Sequence, residues 1–150
     1  RTKSELYKMA FAAINSDTYN LVLFLHLFSV ILGTGSAFFA QVVTSKYKKS
    51  TDNPQITLTA LGAMMSPSLL LSGVLGGALV GMSDNVYDFS QLWLTFAGIF
   101  WLTSLAAATI LYKPPFLTLP DLQKYHPFLT GVLHLSLTVM LVVMVWKPGY

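Results

Sequence analysis

The chain has no cysteine among its 150 residues. That absence excludes disulfides, iron–sulfur clusters, thiolate metal sites and cysteine nucleophiles together. Charge is scarce too: Lys, Arg, Asp and Glu make up 10% of the chain, against about 25% in ordinary soluble domains. The scarcity is uneven. Between Asp17 and Trp146 four long runs carry no Asp, Glu, Lys or Arg at all. Driven ion pumps and proton-coupled carriers normally use such groups inside the membrane, so both classes are disfavoured.

Hydrophobic residues, at 54% of the chain, fill those runs. An uncharged apolar stretch of about 18 residues or more is long enough to cross a bilayer at about 1.5 Å per residue. The expected fold is therefore all-α: an integral-membrane four-helix bundle forming one transmembrane domain over residues 1–150. The spans fall at about 19–43, 56–82, 89–112 and 128–146. The second is over-long and should tilt, and Pro67 predicts a kink in it. Lys113-Pro114-Pro115 stops the third, because proline cannot donate the next helical bond. Before the first span, residues 1–14 place Leu6, Met9, Ala10 and Ala13 at helical spacing, which predicts a short helix lying in the interface. Asn15-Ser16-Asp17 supplies an N-cap for the span that follows. No cleavable signal pattern is expected, since the first apolar run follows a polar stretch and is too long for one.

The formal charge of +3 resides in loops and tails, so it reports topology rather than nucleic-acid binding. Lys46, Lys48, Lys49, Lys113 and Lys124 lie in the first and third loops, and Arg1, Lys3, Lys8 and Lys147 on the opposite side. Five against four favours the first and third loops facing the cytoplasm, or the matrix of an organelle, with both termini outside. The expected location is a bacterial or archaeal inner membrane, or an organellar inner membrane.

The only ionisable groups deep inside any span are His26 and His134. An intramembrane ionisable residue is costly enough to be a functional candidate by default. His26 shares a helix face with Ser29, Val30, Gly33, Ala37 and Ala40, a mostly small surface that should turn into the bundle. His134 shares its face with Thr130, Gly131 and Thr138, which predicts the same inward placement. Neutral imidazole can ligate haem iron or copper, relay protons, or hydrogen-bond across helices. An interhelical bond to a serine or threonine is the simpler role for each. From their positions in the spans the two should differ in depth by about 10 Å, which disfavours one haem shared between them. His126, in Tyr125-His126-Pro127, reads as a solvated interfacial histidine.

Gly73, Gly77 and Gly81 make two successive GxxxG spacings in the second span. Such a row forms a flat groove for a neighbouring helix, serving packing if it faces inward and a partner if it faces outward. Gly33-Thr34-Gly35 lacks the third glycine of a nucleotide loop and lies within a span. Met64-Met65, Met140 and Met144 are ordinary gap-filling residues before they are copper ligands. Trp101, near mid-membrane, can stack on a macrocycle or simply pack. No catalytic set is legible.

Leu25-His26 early in the first span, Gly33-x-Gly35 after it, a short acidic turn before the third span, and Lys147-Pro148 after the fourth give the chain a family look. It resembles a group of bacterial four-helix membrane proteins allied to the HemJ and copper-resistance D membrane proteins. The resemblance covers most of the chain through short motifs. It implies haem b as cofactor, with His26 as ligand, and an association with protoporphyrinogen oxidation. The chain departs from that pattern in having no intramembrane lysine or arginine, which separates haem binding from the oxidase activity.

Three functions are consistent with these residues. The first is a non-catalytic membrane subunit that stabilises or assembles a larger complex, redox or respiratory in setting, with lipids and other membrane subunits or further copies as partners. The second is a small b-haem protein using His26. The third is a passive pore for a small solute or metal.

Overall fold

The computed structural model describes residues 16–47, 55–83, 86–112 and 125–148. Within them the chain forms four helices: α1 Asp17–Tyr47, α2 Gln55–Gly81, α3 Leu92–Tyr112 and α4 His126–Trp146. Each is long and apolar enough to cross a membrane. The expected short helix over residues 1–14 lies outside the described residues, as do Lys48, Lys49, Asp84, Asn85 and the third loop up to Lys124.

Helix ends follow local chemistry. Ser16 Oγ accepts the Tyr19 N–H at 3.2 Å, which supplies one of the orphan donors at the start of α1. α2 continues through Pro67. α3 begins just after a turn in which Asp88 Oδ1 accepts the Ser90 N–H at 2.7 Å and the Asp88 carbonyl accepts the Gln91 N–H at 3.0 Å. α4 carries Pro127 in its first turn, where the missing N–H costs nothing. It ends at Lys147, whose left-handed backbone (φ 42°) lets its N–H bond the Val143 carbonyl.

The helices assemble as two tight hairpins. α1 packs extensively along α2 and α3 along α4, the α2–α3 contact is smaller, and α1 touches α4 only lightly. The shared core is built from small residues on α1 and α3, Ala37, Ala40, Ala107 and Ala108, facing larger ones on α2 and α4, Met65, Leu69, Leu133, Leu137 and Met140. Alternating small and large side chains in this way lets backbones approach while leaving no void. Only 22–28% of each span's most apolar stretch is buried, and large side chains such as Phe24, Ile31, Val74, Leu102 and Leu135 project outward. In water that surface would be untenable; in lipid it is the solvent-facing side.

Candidate functional site

α1 and α2 meet along a strip of small residues that includes Ser29, Gly33 and Ala37. A Cβ at Gly33 would press on Leu69 at 3.0–3.3 Å, so the glycine sets how closely the two helices approach. One level away, His26 Nδ1 lies 2.8 Å from the Ser72 carbonyl of α2. A carbonyl only accepts, so Nδ1 carries the proton and Nε2 presents a lone pair. Gly76 makes room for this ring, because a Cβ there would stand 3.2 Å from His26 Cε1. The buried face of α1 (Ser29, Gly33, Ala37, Ala40) is the small face expected from the sequence around His26.

His134 is positioned differently. The buried face of α4 is Leu133, Ser136, Leu137 and Met140, and Thr138 and Gly131 are exposed. The face expected to turn inward is therefore not the buried one, and His134 stands on its border. Its Nδ1 bonds the Thr130 carbonyl of its own helix at 2.7 Å, and its ring packs edge-on against Phe38 of α1, centroids 4.9 Å apart. Phe38 is twelve residues along α1 from His26, an axial separation on the order of 18 Å. The two histidines therefore stand at different levels and do not converge. His126 is exposed and within reach of Thr130 on its own helix.

The glycine row divides. At Gly73 a Cβ would overlap the Trp101 indole of α3, whereas Gly77 and Gly81 have nothing within 4 Å of that position. Trp101 Nε1 also donates to the Leu69 carbonyl at 2.6 Å, and the same carbonyl accepts the Ser72 hydroxyl at 2.8 Å. Trp101 is thus a packing residue that ties α3 to α2. Its depth was legible in the sequence, its partner was not. Of the methionines, Met65 and Met140 are core residues and Met64 is exposed, so the adjacent pair on α2 does not face one point.

Sequence reading missed the polar cluster where α2 and α3 join. Lys147 Nζ bonds the Tyr87 hydroxyl at 3.0 Å and lies 4.7 Å and 5.5 Å from the Tyr87 and Trp93 ring centroids. Those rings pack edge-to-face at 5.7 Å. Trp93 Nε1 donates to Gln91 Oε1 at 3.0 Å. The signal present in the sequence was two aromatics flanking the second loop and one lysine at the end of the last span. The cluster locks the end of α4 beneath the α2–α3 turn through cation–π contacts. Lys147 is therefore both helix cap and interfacial anchor.

Among the described residues no group of three or more His, Asp or Glu side chains is placed to hold a metal ion. No protein-family model matches the sequence, and neither curated proteins nor solved structures yield a match.

Proposed function

We propose that this chain is a small non-catalytic integral-membrane subunit that stabilises or helps assemble a larger membrane complex. The observation that carries the reading is the open end of the glycine row. Gly73 is used up by Trp101 inside the bundle, but Gly77 and Gly81 face space that nothing among the described residues fills. Gly98 of α3 is open in the same way. Because α2 and α3 run antiparallel, Gly77, one turn beyond Gly73, and Gly98, one turn before Trp101, come to the same level. Small residues on adjoining helices form a shallow channel that lets another transmembrane helix approach at backbone distance, which is how helices associate where no hydrophobic driving force exists. A redox or respiratory complex is the setting favoured by the sequence resemblance. Replacing Gly77 with Leu tests the reading. Loss of a co-migrating partner on mild-detergent native gels, with the isolated bundle still folded, supports it. Unchanged assembly places the channel against lipid and removes the proposed contact.

A second reading, a b-haem protein, is favoured by one observation at His26. An Nδ1–H held by a backbone carbonyl, with the Nε2 lone pair left over, is the arrangement that orients a histidine for a metal. These residues fit a single protein ligand, with Gly76 leaving room for the imidazole. A haem bound there would supply one-electron chemistry, while Ser72 and Gly76 fix the ring. His134 contributes nothing at that level. A Soret band in the purified protein, lost in His26→Gln, supports this reading; a colourless preparation from haem-replete cells removes it.

A further inference from the structure

α1 and α2 keep one register along their length. His26 meets Gly76 and Leu69 meets Gly33, a step of seven residues on each helix, so Ala40 stands level with Gly62. Continued, that register sets the last residue of α1, Tyr47, opposite the first of α2, Gln55. α2 and α3 are in register as well. Trp101 meets Gly73 and Tyr112 meets Gly62, a step of eleven residues on each helix. α3 ends at Tyr112, whereas α2 begins seven residues before Gly62 and α1 runs seven residues past Ala40. At about 1.5 Å per residue, the α1–α2 hairpin overhangs the end of α3 by about 10 Å.

Tilt does not remove the overhang, because α2 and α3 run side by side without slipping and so tilt together. With 21 residues, α3 is about 31 Å long and matches a hydrocarbon layer of ~30 Å. Tyr112 marks one edge of that layer, as interfacial tyrosines do. The headgroup zone beyond it is about 5–8 Å deep. The overhang crosses this zone and barely clears it. Its surface suits that depth: Gln41, Ser45, Lys46, Thr57 and Thr59 are exposed, and among the described residues Val42 is the one large apolar side chain exposed there. α1 has no acidic residue after Asp17, and α2 has none.

We infer that the overhanging end of the α1–α2 hairpin binds the headgroups of anionic phospholipids. Lys46, in the last turn of α1, brings a cation to phosphate depth. Lys48 and Lys49 follow it in the sequence, with Asp52 as the one acidic residue before α2. Basic residues just outside a span are drawn to an anionic membrane surface, and the attraction fades within a Debye length. Depth decides between partners. Phosphates surround the sides of the overhang, whereas an acidic soluble protein would meet only its tip. The inference is independent of the subunit reading, because Gly77 lies near the opposite end of α2.

The test uses the full chain in detergent, with dioctanoyl-phosphatidylglycerol and dioctanoyl-phosphatidylcholine as probes and bound lipid counted by native mass spectrometry. The anionic lipid should bind more tightly, and the difference should shrink as salt is added. Lys46→Gln should weaken its binding about fivefold, the worth of one lysine at an anionic surface, and leave the zwitterionic lipid unchanged. Replacing Lys46, Lys48 and Lys49 together with Gln should erase the preference. Equal binding of the two lipids overturns the proposal and leaves an acidic protein surface as the partner. A preference that survives the triple substitution, or that ignores salt, overturns it too. The overhang is tested separately in nanodiscs, since the chain has no cysteine of its own. Ser45→Cys and Thr57→Cys should react with a charged, membrane-impermeant maleimide, and Val74→Cys, exposed within the span, should not. Protection of both Ser45→Cys and Thr57→Cys would sink the hairpin end into hydrocarbon and overturn the geometry on which the proposal rests.

Discussion

The Trp101 indole lies where any Cβ at residue 73 would have to go, so α2 and α3 owe their spacing to the absence of a single carbon. The tryptophan fills the notch with its ring and donates its N–H to the Leu69 carbonyl one turn away. Ring and notch are both required: the glycine admits the ring, and the carbonyl satisfies the one polar atom the ring brings into the bilayer.

Gly73 and Gly77 should consequently behave as opposites. Gly73→Ala forces the Trp101 ring to move and should destabilise the isolated bundle by about 1–3 kcal/mol, as overpacking does in soluble cores. Gly77→Leu meets open space and should change the bundle's own stability by less than about 0.5 kcal/mol, as surface substitutions commonly do. Denaturant titration in bicelles measures both. Equal effects would mean that the two glycines share an environment.

Removing the His26 imidazole should have a modest structural effect. His26→Gln keeps a donor near the Ser72 carbonyl and should cost about 1 kcal/mol or less, in line with interhelical hydrogen bonds in membranes. The same titration reads it. A much larger loss would show that the ring carries more than this one bond, and haem ligation is then the first property to examine by absorption.

The turn leading into α3 should be acid-sensitive. The Ser90 backbone N–H, with a further contribution from the Ser90 side chain, holds the Asp88 carboxyl below its ordinary pKa. A carboxylate depressed in the folded state contributes stability that is present above the unfolded value, about 3.9, and lost as pH falls through the lower folded value. The protection of the Ser90 amide against exchange, measured relative to the intrinsic rate at each pH, should therefore fall below about pH 4 in the wild type. In Asp88→Asn that pH dependence should vanish. An identical acid profile in both would place the sensitivity elsewhere.

Topology follows from the span count and is checked separately from orientation. Four antiparallel spans put both ends of the chain on one side of the membrane. Reporters placed at Lys49 and after Tyr150 should label opposite sides, with Lys49 cytoplasmic if the five-to-four excess of basic residues decides orientation. Reversed labels would invert the protein. Matching labels would contradict the four-span arrangement.

The sequence by itself determined the solvent, the number of spanning helices and their approximate limits. Those follow from composition and run length alone: a charge-free stretch of bilayer length has one stable conformation in lipid, because only a helix satisfies every backbone group within its own segment. It also located the small face around His26, since a helical period projects residues three and four apart onto one side. The same period could not say which neighbour a face meets. Gly73 and Gly77 have identical spacing signatures, yet one is filled by Trp101, twenty-eight residues further along the chain, and the other is open. His134 likewise could not be placed from the residues of α4 alone. Phe38, close to a hundred residues earlier, decides where its ring sits, and its Nε2 has no hydrogen-bond partner among the described residues. Helix formation in a membrane is local and is written in short windows. Helix association depends on register and rotation between segments distant in the chain, where fit replaces hydrophobicity as the deciding term, and only the assembled bundle reveals it.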